Sequence, residues 1–189
     1  MNKLSKAKKI DFFETPSTVI NWIAPHLNKE FNYYDPCVGR GQIPKILSNH
    51  NIKVIGSDIR ENNIYGKGGV DFLNADYLDY ADVQAFIMNP PFSYSFEFLK
   101  KCLIIAEKHN QEIWIFEKLS FLASKTRSAV MNEHLEGLYV CSRRPSMYAA
   151  DENLDLDSPY IEKPMGGTID FAWFKFKHKP TTKTVISLT

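Results

Sequence analysis

Phe31-Asn32-Tyr33-Tyr34-Asp35-Pro36-Cys37-Val38-Gly39-Arg40-Gly41 decides the fold. Phe31 to Tyr34 reads as a short strand, and the two glycines after it permit a tight turn and a close backbone approach to a ligand. Gln42 to Ser48 carries Ile43, Ile46 and Leu47 on one helical face, with Pro44 tolerated because it falls in the first turn. Lys53 to Ile59 supplies a second strand, apolar through Val54 and Ile55, with Asp58 near its tip. Strand, glycine turn, helix, strand is a βαβ unit. Its spacing puts a carboxylate about 20 residues beyond the turn, where two vicinal ribose hydroxyls can donate to one acid. A lone Asp at a strand end is ordinarily solvent-facing. The pairing of Asp58 with the glycine turn favours the ligand role.

Upstream, Thr15-Pro16 reads as an N-cap with proline at the first helical position. Val19, Ile20, Trp22, Ile23 and Leu27 then share a helix face that Pro25 kinks or ends. Downstream, Gly66, Gly68 and Gly69 mark a loop, and Val70 to Leu73 is expected as a third strand with Asp76 and Tyr77 on its far side. Further strands are expected at Ala85 to Met88, Glu112 to Phe116, Leu138 to Ser142 and Phe171 to Phe176, with helices at Phe96 to His109 and Leu122 to Leu135. Alternating strands and helices predict an α/β fold, a Rossmann-like doubly wound sheet of about seven strands covered on both faces. No helix is apparent between Ser142 and Phe171, so the last strand is expected to return antiparallel.

The 189 residues fit a single domain, 1–189, with a basic tail at 1–10 (Lys3, Lys6, Lys8, Lys9) and a long loop at 145–168 rich in Pro, Gly and acids. At 44% hydrophobic and 24% charged residues the composition is that of an ordinary soluble globular protein, and disorder is not expected. A net charge of +1 gives no global pull toward nucleic acid, so such binding must come from local patches. Cys37, Cys102 and Cys141 are odd in number and widely spaced, fitting neither a disulfide framework nor a zinc site, so no metal is expected. No apolar run is long enough to span a membrane and no signal peptide is evident. The chain reads as cytoplasmic.

Asn89-Pro90-Pro91-Phe92 follows the buried strand Ala85 to Met88. Two successive prolines stiffen the turn and remove two N–H donors, so its carbonyls and the Asn89 amide oxygen are acceptors suited to an amine. Phe92 adds a flat face on which a planar base can stack for roughly 1–3 kcal/mol. A plain strand-ending turn with a core Phe fits the tetrad alone as well.

The order Thr15-Pro16, Asp35-Pro36-x-x-Gly39-x-Gly41, Asp58, Asp76-Tyr77 and Asn89-Pro90-Pro91-Phe92 resembles the S-adenosylmethionine-dependent amino-methyltransferases of the N6-adenine group. The second half, with Ser142-Arg143-Arg144-Pro145 and Gly166-Gly167-Thr168-Ile169-Asp170-Phe171, is similar to small DNA methyltransferases of phages and prophages. The resemblance implies S-adenosyl-L-methionine as cofactor. Gly39 and Gly41 would let backbone amides approach its methionine part, with Asp35 and Pro36 beside its amino group and Thr15 and Pro16 closing that end. Asp58 would take the ribose, Asp76 the adenine amino group, and Ile59 and Tyr77 would pack on the ring. The catalytic set would be Asn89, Pro90, Pro91 and Phe92. The Asn89 oxygen and the Pro90 carbonyl would each accept an N–H of the target amine and aim its lone pair at the methyl group.

The implied substrate is an exocyclic amine of a nucleobase, adenine N6 in DNA, flipped onto Phe92. Lys118 follows the fifth strand, Lys125 and Arg127 lie early in the next helix, and Arg143 and Arg144 follow the sixth strand, so these five cations are expected to rim the pocket at the carboxyl edge of the sheet and contact phosphates. An ordinary solvated edge reads the same way. Asp151, Glu152, Asp155, Asp157 and Glu162 would repel a phosphate backbone, so the 145–168 loop is expected to sit away from the polymer or to bind a protein partner. No separate target-recognition domain is apparent. Two other readings stand beside this one: a methyltransferase acting on RNA adenine or guanine or on a protein glutamine, and a non-catalytic cofactor-binding module.

Overall fold

The computed structural model describes residues 12–76, 80–149, 156–160 and 165–189. The basic tail, Tyr77, and Asp151, Glu152, Asp155 and Glu162 lie outside them. In chain order the elements are β1 (Phe13–Glu14), α1 (Ser17–Ile23), β2 (Asn32–Asp35), α2 (Gln42–Ser48), β3 (Lys53–Gly56), β4 (Ala85–Met88), α3 (Ser95–His109), β5 (Glu112–Lys118), α4 (Ser128–His134), β6 (Leu135–Cys141), β7 (Tyr148–Ala149), β8 (Phe171–Lys177) and β9 (Thr184–Leu188). Seven of the strands form one sheet in the order β3-β2-β4-β5-β8-β6-β9. Six run in one direction. β8 is antiparallel to both of its neighbours, as expected for the strand at Phe171, while β9 lies parallel to β6.

The central strands are buried on both faces, so their side chains alternate between two apolar layers. Ala85 and Ile87 of β4, Trp114 and Phe116 of β5, and Phe171 and Trp173 of β8 join Val19, Ile20, Ile23 and Leu47 from α1 and α2. Phe86 and Met88, Ile113 and Ile115, and Phe174 and Phe176 face the other way, onto Leu99, Cys102, Ala106 and Met131 from α3 and α4. Burying each large side chain contributes about 1.5–3 kcal/mol. The indole Nε1 of Trp173 also donates to the Val19 carbonyl at 3.0 Å, tying β8 to α1.

Four expectations are corrected. Residues 70–73 form no strand: Val70 N–H donates to the Asp58 carbonyl, and Phe72 buries itself against Phe98 and Tyr80 instead of extending. The pairing expected there is reduced to one parallel bridge between Ser57 and Lys67. The sheet reaches seven strands through β9, which sequence reading missed. Its burial pattern shows why, since only Leu188 is buried in a run that is otherwise exposed or half-buried. The helix expected over 122–135 begins only at Ser128, because Arg127 Nε donates to the Phe121 carbonyl and closes the preceding 3₁₀ turn. Pro16, not Thr15, is the N-cap residue of α1, and no side chain caps it.

Candidate active site

Parallel strands present their carboxyl ends at one edge, and β2, β3 and β4 are adjacent. Their chain continuations, the glycine turn, Asp58 and Asn89, therefore meet there. Gly39 (φ +55°) and Gly41 (φ +83°) adopt the left-handed conformation that L side chains rarely take. A Cβ on Gly41 would lie 2.5 Å from Tyr65 Cβ, and one on Gly39 would lie 3.1 Å from the Phe12 ring. The turn is laced to the tip of β3: Val38 N–H donates to the Ser57 carbonyl and Gly39 N–H to Asp58 Oδ2, each at 3.0 Å.

The Asp58 carboxylate, 5% exposed, also accepts from Arg60, whose backbone N–H and Nε reach Oδ1 and whose Nη2 reaches Oδ2, all at 3.0 Å. The Arg60 guanidinium lies 3.8 Å over the Phe12 ring. Arg60 therefore stands where the sequence reading puts ribose hydroxyls. Asp35 is buried at 1% exposure and accepts from Cys37 N–H at 3.1 Å. Burial pushes its carboxyl up to about 8, and the neighbouring Asp58 charge adds to the rise. Ile59 is 43% exposed beside Asp58, and Pro36, Thr15 and Pro16 are buried at the same edge. Asp76 is exposed, between β3 and β4; Tyr77 lies outside the described residues.

The N-terminal segment crosses in front of the tetrad, where β1 pairs with β7. Asn89 Nδ2 donates to the Phe13 carbonyl at 3.0 Å. A carbonyl requires a donor, so this bond fixes the amide orientation and leaves Oδ1 as the free end. That oxygen is buried and has no hydrogen-bond partner among the described residues. The Pro91 carbonyl accepts from Tyr94 N–H at 2.8 Å and from Ser95 Oγ at 3.3 Å. Phe92 packs 5.4 Å from Phe13 and 6.0 Å from Phe171, and Lys118 Nζ sits 4.2 Å from its ring centre.

Behind the tetrad stands a residue that sequence reading missed. Glu117, 3% exposed at the end of β5, bonds the Ser95 hydroxyl through Oε2 and accepts from Lys118 N–H through Oε1 at 2.7 Å. Burial raises its carboxyl above the usual range, against the bonds from Ser95 and Lys118 and the charges of Lys118 and Arg127. A glutamate at an inward position of an otherwise apolar strand was the available signal, but the strand was expected to stop at Phe116. Phe13 carried no comparable signal, because only the fold brings it to this edge, and Arg60, two residues after Asp58, is local but unmarked in the sequence.

The expected basic rim divides. Lys118 and Arg127 share one cleft with Phe92. Lys125 is exposed in the segment before α4 rather than within it. Arg143 and Arg144 are exposed beyond β6, two strands away from β5, and Arg144 Nε pairs with Asp170 Oδ1 at 2.7 Å. The described part of the long loop does not sit apart: Arg40 donates to the Ser158 carbonyl and Lys45 Nζ to the Leu156 carbonyl at 3.2 Å, beside the glycine turn. Arg40 also pairs with Glu14 at 3.0 Å, joining that loop, the turn and β1. Among the described residues no cluster of His, Cys, Asp and Glu forms a metal site, and no helix is long and apolar enough to cross a membrane.

No family model and no curated protein sequence matches this chain. Solved structures do. One from Listeria monocytogenes, assigned to the class I S-adenosylmethionine-dependent methyltransferases, superposes with a TM-score of 0.62 at 11% identity, covering 96% of this chain and 67% of that one. A modification subunit assigned to a type I restriction enzyme of Vibrio vulnificus YJ016 gives 0.59 at 12% identity over 97% of this chain, which spans about half (48%) of the subunit. The 23S rRNA methyltransferase ErmE gives 0.53 at 15% identity over 91% of this chain and 71% of that one. At such identities the likeness is one of fold, and the fold of this chain is the Rossmann-like α/β fold of class I methyltransferases.

Proposed function

We propose that this chain transfers a methyl group from S-adenosyl-L-methionine to an exocyclic amine of a nucleobase, adenine N6 in DNA. The observation that carries the reading is the Asn89 side chain, anchored through Nδ2 with a buried Oδ1 left over as an acceptor. Leaving such an oxygen unsatisfied costs about 1–3 kcal/mol, and a donor brought by a substrate removes that cost. An amine conjugated into an aromatic ring is a poor nucleophile. Oδ1 and the Pro90 carbonyl, each accepting one N–H, favour a pyramidal nitrogen and orient its lone pair. Phe92, stiffened by the two prolines, supports the ring of the base.

The cofactor fits the other half of the edge. The Gly39–Gly41 turn leaves no room for a Cβ, Asp35 is a buried acid that an arriving ammonium group would hold ionised, Asp58 is an acceptor for vicinal hydroxyls once Arg60 gives way, and Ile59 offers an exposed apolar surface for a ring. When bound, the cofactor supplies an already activated methyl group, so positioning and electrostatics are what the protein contributes. Asp76 is assigned to the adenine amino group, and Thr15 and Pro16 to the methionine end.

DNA is proposed as the polymer on the sequence resemblance to small DNA methyltransferases, with which the shared fold of the restriction modification subunit is compatible. The test gives the pure protein methyl-labelled cofactor and pools of DNA, RNA and protein, with wild type and Asn89→Ala in parallel. Label in nucleic acid, lost by at least ten-fold (about 1.4 kcal/mol of barrier) in the variant while its cofactor Kd holds, is the expected result. Label in protein glutamine, or a variant as active as wild type, contradicts it.

A further inference from the structure

Glu117 opens onto a cleft of about 360 Å³ that Asn89 does not line. That volume lies at the small end of the ~300–1,000 Å³ typical of ligand sites, suiting one planar group with its attachments. The walls include Phe92, Phe96 and Phe121, and the cations are Lys118 and Arg127. Lys118 Nζ lies 4.2 Å from the centre of Phe92, and the Arg127 guanidinium lies 4.6 Å from that of Phe121. Arg127 Nε donates to the Phe121 carbonyl at 2.8 Å, and among the described residues its two Nη groups make no other hydrogen bond. A carboxylate has about four acceptor positions, and Glu117 uses one on each oxygen, for Ser95 and for Lys118 N–H. Aromatic walls, two cations lying over the Phe92 and Phe121 rings and a buried acceptor suit a nucleotide whose base carries an amine and whose phosphate needs positive partners.

We infer that this cleft takes the nucleotide next to the target base, reading adenine or cytosine at that position through an amine-to-Glu117 hydrogen bond, with its phosphate on Lys118 and Arg127. The inference rests on the reading of the chain as a nucleobase methyltransferase and deepens it. The cleft is not the target's own position, because Phe92 is shared between the two places while the Asn89 oxygen belongs to one. Thymine and uracil bring a carbonyl where adenine and cytosine bring an amine, and a carbonyl against the Glu117 carboxylate is repelled. One buried side chain thus supplies attraction to some neighbours and rejection of others.

The test measures kcat/KM for methyl transfer to oligonucleotides in which the target adenine is fixed and each flanking base is varied. Wild type is expected to prefer adenine or cytosine over thymine at one flanking position by about ten-fold or more. Replacing that neighbour's amine with hydrogen, using purine in place of adenine, is expected to cost the same factor. Glu117→Gln should shrink the preference while cofactor Kd stays unchanged. If the variant does not fold, the amine-deleted neighbour in the wild-type assay decides alone. Equal rates for all flanking bases, or an amine-free neighbour as good as adenine, overturn this inference and leave the proposed function standing. No transfer to any oligonucleotide overturns both.

Discussion

Asp58 accepts four N–H bonds before any ligand arrives, one from Gly39 and three from Arg60. Two consequences separate its roles. In Asp58→Ala, cofactor affinity measured by calorimetry should fall by about 2–4 kcal/mol, from two lost bonds to a charged acceptor. The midpoint of unfolding should fall as well, because the buried Gly39 N–H loses its partner at about 1–3 kcal/mol. Arg60→Ala should act in the opposite sense on binding, raising affinity by on the order of ten-fold (about 1.4 kcal/mol), since no guanidinium then has to leave the carboxylate. Weaker binding in Arg60→Ala would mean that Arg60 contacts the cofactor rather than yielding to it.

Asp35 makes a pH prediction. Burial raises its folded pKa from 3.8 to about 8, so the folded state holds a proton that the unfolded chain releases. Stability from this group is complete below about pH 4 and is lost as pH rises through about 8, at up to about 1.4 kcal/mol per pH unit. Thermal unfolding of Asp35→Asn should lack that slope. An identical pH profile in variant and wild type would show that Asp35 is ionised in the folded protein.

At the scale of elements, the glycine turn is held by a close contact with Tyr65. Gly41→Ala meets the Tyr65 side chain at 2.5 Å and takes a residue to φ +83°. It should cost about 1–3 kcal/mol, and Tyr65→Gly in the same chain, which removes the Cβ as well as the ring, should recover the steric part but not the backbone part of the Gly41→Ala cost. Full recovery of that cost in the Tyr65→Gly background would assign it wholly to the Tyr65 side chain. This turn was legible in the sequence because β2, the turn, α2 and β3 are consecutive and their signals are local. The tetrad was legible too, since proline stiffness is intrinsic to Pro90 and Pro91. What was not legible depends on packing. Residues 70–73 are apolar enough for a strand, yet Phe72 gains more from stacking 5.5 Å from Phe98 than from an edge ladder. β9 buries little beyond Leu188, so its pairing with β6 rather than a strong apolar pattern marks it as a strand. Glu117 and Phe13 reach the tetrad across long sequence separations, which no spacing rule encodes, whereas Arg60 is local to Asp58 but nothing in the sequence marks its turn back onto the carboxylate.

At the scale of the whole molecule, a net charge of +1 leaves polymer binding to the placement of a few cations. Lys118 and Arg127 stand beside Phe92, while Arg143 and Arg144 lie beyond β6 and Arg144 is paired with Asp170. The slope of log affinity for DNA against log salt should therefore flatten by about 1.4–1.8 in a Lys118→Ala, Arg127→Ala variant. Arg143→Ala should change it by at most about 0.9. A slope moved more by Arg143 than by the first pair would shift the polymer toward β6.

The acceptor atom tests the central claim most directly. DNA incubated with the pure protein and methyl-labelled S-adenosylmethionine is digested to nucleosides, and the labelled product is identified by mass spectrometry. The account predicts label on N6 of deoxyadenosine, with none when Asn89→Ala replaces the wild type. Label on a ring carbon, on a ribose oxygen or on protein, or N6 label that survives Asn89→Ala undiminished, would contradict it.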